Sequence, residues 1–147
     1  MKKNIFAAVL LSLALTLILT LTTVSAAAAS GNPPQMPRTL ANARFVYVAA
    51  YDGDQFDPNL LPDDRAAISR VQDAIQKWAK LTVVYRAQDA DIILMVQSRP
   101  SEDVLAVYDA HSASQTYLWR VMGRGGLQKS EIPLFSQFEK AWDNITH

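Results

Sequence analysis

The chain has 147 residues but no cysteine, and it has no excess of charge of either sign. Without cysteine it has no disulfide, no thiolate metal site, no cysteine nucleophile and no cysteine that carries a lipid. Nucleic-acid binders normally concentrate basic residues, whereas 14 basic and 14 acidic residues balance here. Only two histidines are present, which excludes a histidine zinc site unless carboxylates supply most ligands. We therefore expect no nucleic-acid partner and no cofactor.

The N-terminal segment differs in composition from the rest of the chain. Two lysines precede an uncharged, mostly apolar stretch over residues 5–24, and small residues follow it. This layout predicts a secretory signal peptide, residues 1–26, cleaved between Ala26 and Ala27, with cleavage after Ala28 or Ala29 as alternatives. The alternative is an uncleaved membrane anchor, because about twenty apolar residues can span a bilayer. Both interpretations place the remainder outside the cytoplasm, in the periplasm or secreted, with membrane contact only through this segment if it is retained.

Removal of residues 1–26 leaves 121 residues with 12 basic and 14 acidic side chains, a net charge of −2. A domain of this size buries roughly two-thirds of its unfolded surface in one core. Residues 27–43 include three prolines within five positions, which disfavour both helix and central strand. We predict that this stretch is a flexible leader and that residues 44–147 form a single domain.

The rest of the chain predicts two helices and four or five strands. One helix begins at Pro62, where a missing N–H costs nothing, with two aspartates in its first turn. Its apolar residues then recur every three or four positions, which is the helical period. The second helix is predicted over about residues 132–145. The predicted strands are residues 44–51, 81–86, 92–97, 104–108 and, as the optional fifth, 116–122.

The order of these elements predicts the topology. A helix between the first two strands is typical of a crossover that joins parallel strands. The short link before residue 92 favours an antiparallel hairpin between the second and third strands. The third strand is continuously apolar, which predicts a central position. We therefore expect an α+β two-layer fold, with a mixed four- or five-stranded sheet and both helices on one face.

The loop after the first strand holds Asp52, Asp54 and Asp57, whose oxygen groups lie close together as they do in calcium loops. The match fails in detail, because Phe56 and Asp57 stand where an EF-hand loop needs a ligand and a glycine. Aspartates are also common in turns. A turn is the favoured interpretation, and a metal site at the three aspartates is the alternative.

A second polar loop contains the residue types of a hydrolase triad: Asp109, His111, Ser112 and Ser114. A triad needs partners that converge from separate parts of the fold, which residues this close in sequence do not readily do. The chain also lacks the Gly-x-Ser-x-Gly elbow. A polar hairpin loop is therefore favoured. A glycine cluster at 123–126 lacks the endings of phosphate-binding loops and is interpreted as a turn.

Aromatic residues near the C-terminus offer a candidate binding surface. Tyr117 and Trp119 alternate along the optional fifth strand, and Arg120 is adjacent. At a sheet edge these three residues would suit a peptide or a glycan. Packing of the aromatics under the C-terminal helix is the favoured alternative, because aromatic residues mostly serve burial.

Several segments together resemble a known group of proteins. They include Leu61–Arg65 at the helix start, Ala90–Leu94, Leu105–Ala110 and Leu118–Arg120. Over about residues 44–142 the chain resembles small exported bacterial proteins of unknown function, related to uncharacterised envelope lipoprotein domains. The resemblance implies the fold and carries over no functional residue. Those lipoproteins are anchored through a cysteine, which this chain lacks.

These observations lead to three hypotheses. The favoured one is an exported, non-catalytic module that binds another envelope protein or a peptide. The second is a small hydrolase or metal-dependent enzyme that uses the aspartates of the first loop or the histidine of the second. The third is an envelope module tethered by an uncleaved N-terminal anchor. Because no credible catalytic constellation appears in the sequence, we do not expect an enzyme.

Overall fold

The computed structural model describes residues 34–112, 116–128 and 131–147. In these residues it contains one strand, a helix, four strands and a second helix, in that order. The strands are β1 (Phe45–Ala50), β2 (Thr82–Val84), β3 (Ile92–Ser98), β4 (Asp103–Asp109) and β5 (Trp119–Gly123), and the helices are α1 (Pro62–Trp78) and α2 (Pro133–Thr146). The predicted signal peptide and its cleavage position between Ala26 and Ala27 lie outside the described residues.

The strands form one mixed sheet in the order β2-β1-β3-β4-β5. β1 runs parallel to β2 and to β3, whereas β4 is antiparallel to both β3 and β5. The crossover through α1 therefore joins parallel strands, as its sequence order predicts. β3 occupies the centre of the sheet, as its apolar sequence predicts.

Both helices pack on the same face of the sheet. α1 lies against β1, β2 and β3, and α2 lies against β4 and β5. Every second residue of β3 is buried on this face. The inward-facing Val48, Leu94 and Leu105 share one core with Ile68 of α1 and Phe138 of α2. The predicted α+β two-layer architecture is confirmed.

The sequence signals at the start of α1 act as expected. Pro62 occupies the first turn together with Asp63 and Asp64, where the helix dipole favours negative charge. The helix ends at Trp78, because Ala79 adopts a left-handed conformation with φ 59°. Its N–H still donates to the carbonyl of Ile75, which satisfies one of the last free carbonyls of the helix.

A cluster of aromatic rings fills the core beneath the two helices. Phe138 contacts Trp78, Phe135, Trp142 and Trp119, with ring centroids 5.5–5.9 Å apart. The pairs with Trp78 and Trp119 are edge-to-face, an arrangement that aromatic rings prefer, and the other two are tilted. Among the described residues, no helix has the length and apolar character needed to cross a bilayer.

The expected hairpin between the second and third strands is wrong. β2 and β3 flank β1 on opposite sides, and both run parallel to it. β2 has only three residues, so it advances the chain by about 10 Å. The link over residues 85–91 reaches about twice that distance when extended. The chain can therefore return to the start of the sheet without a long crossover.

The proline-rich stretch over residues 27–43, expected to be a flexible leader, is described from residue 34 onward. A 3-10 helix spans Arg38–Asn42 and contacts α2. Met36 and Leu40 are buried in the core. The carbonyl of Pro34 accepts a hydrogen bond of 2.7 Å from the indole N–H of Trp119. The described part of this stretch therefore packs onto the domain, despite its prolines.

Candidate functional site

The three aspartates of the first loop take part in separate interactions. Asp52 pairs with Arg99 at 2.6 Å. Asp54 accepts hydrogen bonds from the Tyr47 hydroxyl and from a loop N–H, and Asp57 accepts one from the N–H of Asn59. Within residues 34–112, 116–128 and 131–147, no group of three or more His, Cys, Asp or Glu side chains could hold a metal ion. This geometry therefore lends no support to the metal interpretation.

The histidine loop has the geometry of a turn. Asp109 accepts a hydrogen bond of 2.9 Å from the N–H of His111, two residues on, as aspartates do in turns. The His111 side chain is 70% exposed and lies 3.8 Å from the carboxylate of Asp91. Ser114 lies outside the described residues. A catalytic role for Asp109 and His111 remains a prediction.

Asp91 connects the segments at which β1 and β3 begin. Its carboxylate accepts hydrogen bonds from the backbone N–H groups of Arg44 and Phe45, at 2.7 and 2.9 Å. These two bonds are the main reason that the pKa of Asp91 lies below its usual value, and nearby His111 lowers the pKa further. The carboxylate therefore stays ionised and holds the start of β1 beside the start of β3.

A buried polar network lies at the opposite end, where the parallel strands β1 and β3 finish. Asp64, at the start of α1, is 1% exposed. It accepts hydrogen bonds from the N–H of Ser98 and from the guanidinium of Arg99, both at 2.7 Å. The same guanidinium reaches Asp52, so one arginine bridges two carboxylates. The hydrogen bond to Asp64 is the main cause of a raised pKa of Arg99, which keeps the guanidinium charged.

Asp103, fully buried at the start of β4, extends this network. One of its oxygens accepts from the Ser98 hydroxyl at 2.9 Å, and the other accepts from the N–H of Leu127 at 2.8 Å. The ends of parallel strands often hold ligands. Here, however, both oxygens of Asp64 and both oxygens of Asp103 are already occupied. The arrangement fastens α1, β3 and the segment after β5 to one another, and we interpret it as structural.

The face of the sheet opposite the helices, here called the helix-free face, carries a different set of side chains. The register places alternate residues of β1, β3, β4 and β5 on it. In the described part of the chain no helix packs against it. Its larger apolar side chains are partly or widely exposed: Phe45, Tyr47, Ile93, Met95, Tyr108 and Met122. Phe45 is 43% exposed and Met122 is 48% exposed.

One part of the helix-free face gathers three tyrosines around an arginine, here called the tyrosine–arginine cluster (Tyr51, Tyr108, Tyr117 and Arg120). The hydroxyls of Tyr51 and Tyr108 are 3.2 Å apart, and their rings meet edge to face with centroids 6.5 Å apart. The guanidinium of Arg120 lies over the ring of Tyr117, 5.7 Å from its centroid. The Arg120 Nε is buried and has no hydrogen-bond partner.

Two tyrosines of this face, Tyr47 and Tyr51, stay protonated at neutral pH. Burial, followed by the charge of and the hydrogen bond to Asp54, raises the pKa of Tyr47 to about 12. Burial and the hydrogen bond with Tyr108 raise the pKa of Tyr51 further above its usual value. These groups are therefore neutral hydrogen-bonding phenols rather than acids or bases near pH 7.

The structure separates the three residues that the sequence grouped as a binding surface. Tyr117 and Arg120 lie together in the cluster, but Trp119 is 1% exposed and packs against Phe138 of α2. The favoured alternative, burial under the C-terminal helix, is thus what Trp119 shows. The expected alternation fails because β5 begins only at Trp119. Tyr117 precedes the strand and does not share its pleat.

Sequence reasoning did not find Tyr51 and Tyr108 as parts of this cluster. Both residues appear in the sequence as ends of apolar strands. The register aligns Tyr108 with Ile93 and Tyr47 rather than with Tyr51, so the contact is made by the ends of the two long side chains. It requires that only β3 lies between β1 and β4. Pairing β3 with β2 in a hairpin hides this arrangement. A signal did exist, because Phe45 and Tyr47 alternate with the buried Val46 and Val48.

A shallow groove of about 480 Å³ lies beside the two helices. Trp78 and Phe135 contribute apolar surface, and charged residues of both signs line it, Lys77 and Glu139 among them. Burial, followed by the nearby charge of Asp143, raises the pKa of Glu139. Mixed charges give this groove no preference for an anion or a cation.

The sequence matches no protein-family model and no curated protein sequence. Among solved structures, the chain is weakly similar to the PelC dodecamer from Paraburkholderia phytofirmans, with 14% identity and a TM-score of 0.44 over 74% of this chain and 93% of that one. It is also similar to uncharacterized lipoprotein B from Nitrosomonas europaea, with 16% identity and a TM-score of 0.35 over 76% of this chain and 83% of that one.

Proposed function

We propose that this chain is an exported, non-catalytic protein-interaction module of the cell envelope, and that the helix-free face is its binding surface. The observation that carries the proposal is the contrast in side chains between the two faces of one sheet. The buried carboxylates of the helix-covered side, Asp64 and Asp103, are paired within the fold. The other face presents exposed aromatic and aliphatic groups around Arg120, with which no carboxylate of the described residues pairs.

The composition of the helix-free face suits a protein partner. Tyrosine, phenylalanine, methionine and arginine are enriched at protein interfaces, and lysine and acidic residues are depleted there. A contiguous apolar patch on a small soluble domain commonly marks such an interface. Phe45, Met122 and the tyrosine–arginine cluster all lie on this face, and the strands contribute no acidic residue to it.

Export rests on the amino-terminal sequence. Two lysines, an uncharged apolar stretch and a run of small residues are the parts of a secretory signal. Mass spectrometry of the protein purified from its own cells tests this directly. We expect an amino terminus near Ala27. An intact Met1 in a membrane fraction would support the tethered alternative, and an intact Met1 in the cytoplasm would overturn export.

Affinity capture from envelope extracts tests the binding surface. We compare the wild type with Met122→Lys, which places a charge on the helix-free face, and with the matched control Gln137→Lys on the exposed side of α2. Met122 and Gln137 are both exposed, so neither change should unfold the domain.

We expect the wild type and the Gln137→Lys variant to recover the same envelope protein in similar amounts. The Met122→Lys variant should recover at least tenfold less of this protein. Equal recovery by all three proteins would show that another surface binds. A wild type that recovers nothing, under conditions that recover known envelope complexes, would contradict the module interpretation.

A further inference from the structure

The five strands contain a single basic residue, Arg120. Their two acidic residues, Asp103 and Asp109, belong to β4 positions that face the helices, as Leu105 and Val107 do. The strands therefore contribute one positive charge and no negative charge to the helix-free face. In the part of the chain that the structure describes, no carboxylate lies within ion-pair distance of Arg120, whereas Arg99 contacts two.

The immediate surroundings of Arg120 hold its guanidinium in place without neutralising it. The ring of Tyr117 lies beneath it at 5.7 Å, which stabilises a cation and leaves its N–H groups directed sideways. The Nε–H is buried with no acceptor. An unpaired buried donor is costly, because it has lost its water and gained no partner. The terminal N–H groups of Arg120 are not among the buried unpaired atoms and have no acceptor among the described residues, so they are the groups that a binding partner can pair with.

The neighbouring tyrosines supply a further donor. The hydroxyls of Tyr51 and Tyr108 share one hydrogen bond at 3.2 Å. Because one hydroxyl donates to the other, the second hydroxyl still has a proton to donate. A guanidinium fork and a phenolic O–H on an apolar surface together match the oxygens of a carboxylate.

We infer that Arg120 binds a carboxylate of the partner, carried by an aspartate or glutamate in an otherwise apolar peptide segment that lies across the helix-free face. This inference rests on the proposed function and adds the chemistry of the partner. The carboxylate pairs with the guanidinium, and the flanking apolar side chains cover Met95 and Met122.

An anionic membrane is the less suitable partner for this surface. Binding to anionic lipids gains about 1 kcal/mol for each basic residue, and recognition generally uses a cluster of about four to eight of them. The strands supply only Arg120. A single charge surrounded by tyrosine and methionine side chains matches one acidic residue of a protein better than it matches a charged lipid surface.

The test is a selection from a phage-displayed library of random peptides about twelve residues long. The bait is the chain expressed from its full sequence and purified from the envelope. Three baits are compared: the wild type, Arg120→Gln, and the control Arg124→Gln. The control removes the same charge from an exposed position in the turn after β5.

We expect peptides selected by the wild type and by Arg124→Gln to contain an acidic residue among apolar ones. Replacing that residue with its amide should weaken binding about tenfold, the loss expected for one charge-assisted hydrogen-bonded pair. The Arg120→Gln bait should bind the acidic peptide and its amide analogue equally.

Different failures separate this inference from the proposed function. Peptides that bind the wild type, lose affinity for Met122→Lys, and show no preference for an acid would keep the binding surface and overturn the carboxylate. Peptides that bind all variants equally would overturn both proposals, as would a selection that enriches none. Binding to phosphatidylglycerol vesicles that depends on Arg120, without acidic peptide binding, would identify a lipid surface and also overturn the inference.

Discussion

Arg99 directly follows β3 and belongs to the polar network at the end of the sheet, whereas Arg120 lies in β5 on the helix-free face. Their surroundings differ. Arg99 contacts Asp64 at 2.7 Å and Asp52 at 2.6 Å, and both oxygens of the buried Asp64 have donors. Arg120 lies over Tyr117 and has a buried Nε–H without an acceptor. A charged group that has a partner within the fold contributes to stability. A charged group without such a partner is available to another molecule. The comparison predicts that mutations on the two sides separate stability from binding.

The largest difference should come from truncating aromatic rings on the two faces. Phe138 is fully buried among four aromatic rings, so Phe138→Ala should lower the free energy of unfolding by about 4 kcal/mol. Phe45 on the helix-free face is 43% exposed, and Phe45→Ala should cost about 1 kcal/mol or less. Urea titrations followed by tryptophan fluorescence measure both. Equal losses would show that the helix-free face is part of a core.

Replacing Asp103 tests whether the buried polar network stabilises the fold. Asp103→Ala leaves the Ser98 hydroxyl and the Leu127 N–H without acceptors in a buried site. Each lost partner costs about 1–2 kcal/mol, so we expect a total loss of about 2–4 kcal/mol. The control Asp109→Ala removes a carboxylate at the far end of the same strand, where it caps only an exposed turn. A variant Asp103→Ala as stable as Asp109→Ala would contradict the structural role of the network.

Gly126 lies where the turn after β5 packs closely against α2. A Cβ atom on Gly126 would clash with Leu134 Cγ, whereas one on Gly123 would lie 3.5 Å from the nearest Leu134 atom. Because Leu134 is buried, Gly126→Ala should cost about 1–3 kcal/mol through overpacking. Gly123→Ala is the matched control and should change stability by less than about 1 kcal/mol. Thermal unfolding of the two variants provides the measurement.

Asp91 predicts a pH-dependent contribution to stability. Its pKa is lower in the folded protein than its ordinary value of 3.8. The ionised carboxylate therefore stabilises the fold fully above the unfolded pKa, and this contribution is lost as the pH falls through the lower folded pKa. Asp91→Asn should cost about 1 kcal/mol at pH 6, because the bonds to two backbone N–H groups weaken.

Unfolding at pH 6 and below pH 3 tests this expectation, since the difference between wild type and Asp91→Asn should shrink in acid. His111→Gln is the control. The backbone bonds lower the pKa of Asp91 more than His111 does, so this variant should have the smaller effect. A difference for Asp91→Asn that does not change with pH would contradict the assigned cause.

The smallest effect on stability should come from Arg120. Arg120→Gln removes a guanidinium that no described carboxylate pairs with, so the free energy of unfolding should change by no more than about 0.5 kcal/mol. The same variant should lose the preference for acidic peptides. A large loss of stability would show that Arg120 stabilises the fold as Arg99 does. The two arginines would then not differ in their roles.

Much of the fold could be predicted because its signals are local. Pro62 and the two aspartates after it mark the start of α1, and the spacing of Ile68, Val71 and Ile75 marks its buried side. The apolar run of β3 indicated its central place. Each of these signals depends on neighbouring residues within one element.

The strand pairing and the tyrosine–arginine cluster could not be predicted in the same way. Whether β3 pairs with β2 or with β1 depends on the length of β2, which the sequence overstated by three residues, because Leu81, Tyr85 and Arg86 also suit a strand. Tyr51 and Tyr108 meet only through that pairing. The buried Asp103 gave no signal either, since its partners come from β3 and from the segment after β5.

The hydrogen bond between Pro34 and Trp119 spans 85 residues and bears on the order of folding. The start of the domain is fixed by the last strand of the sheet, and α2, which covers that strand, ends at Thr146. During synthesis, the first strands therefore emerge long before the residues that complete their core. Contacts so distant in sequence slow folding. The domain should therefore close only after the residues of α2 have emerged.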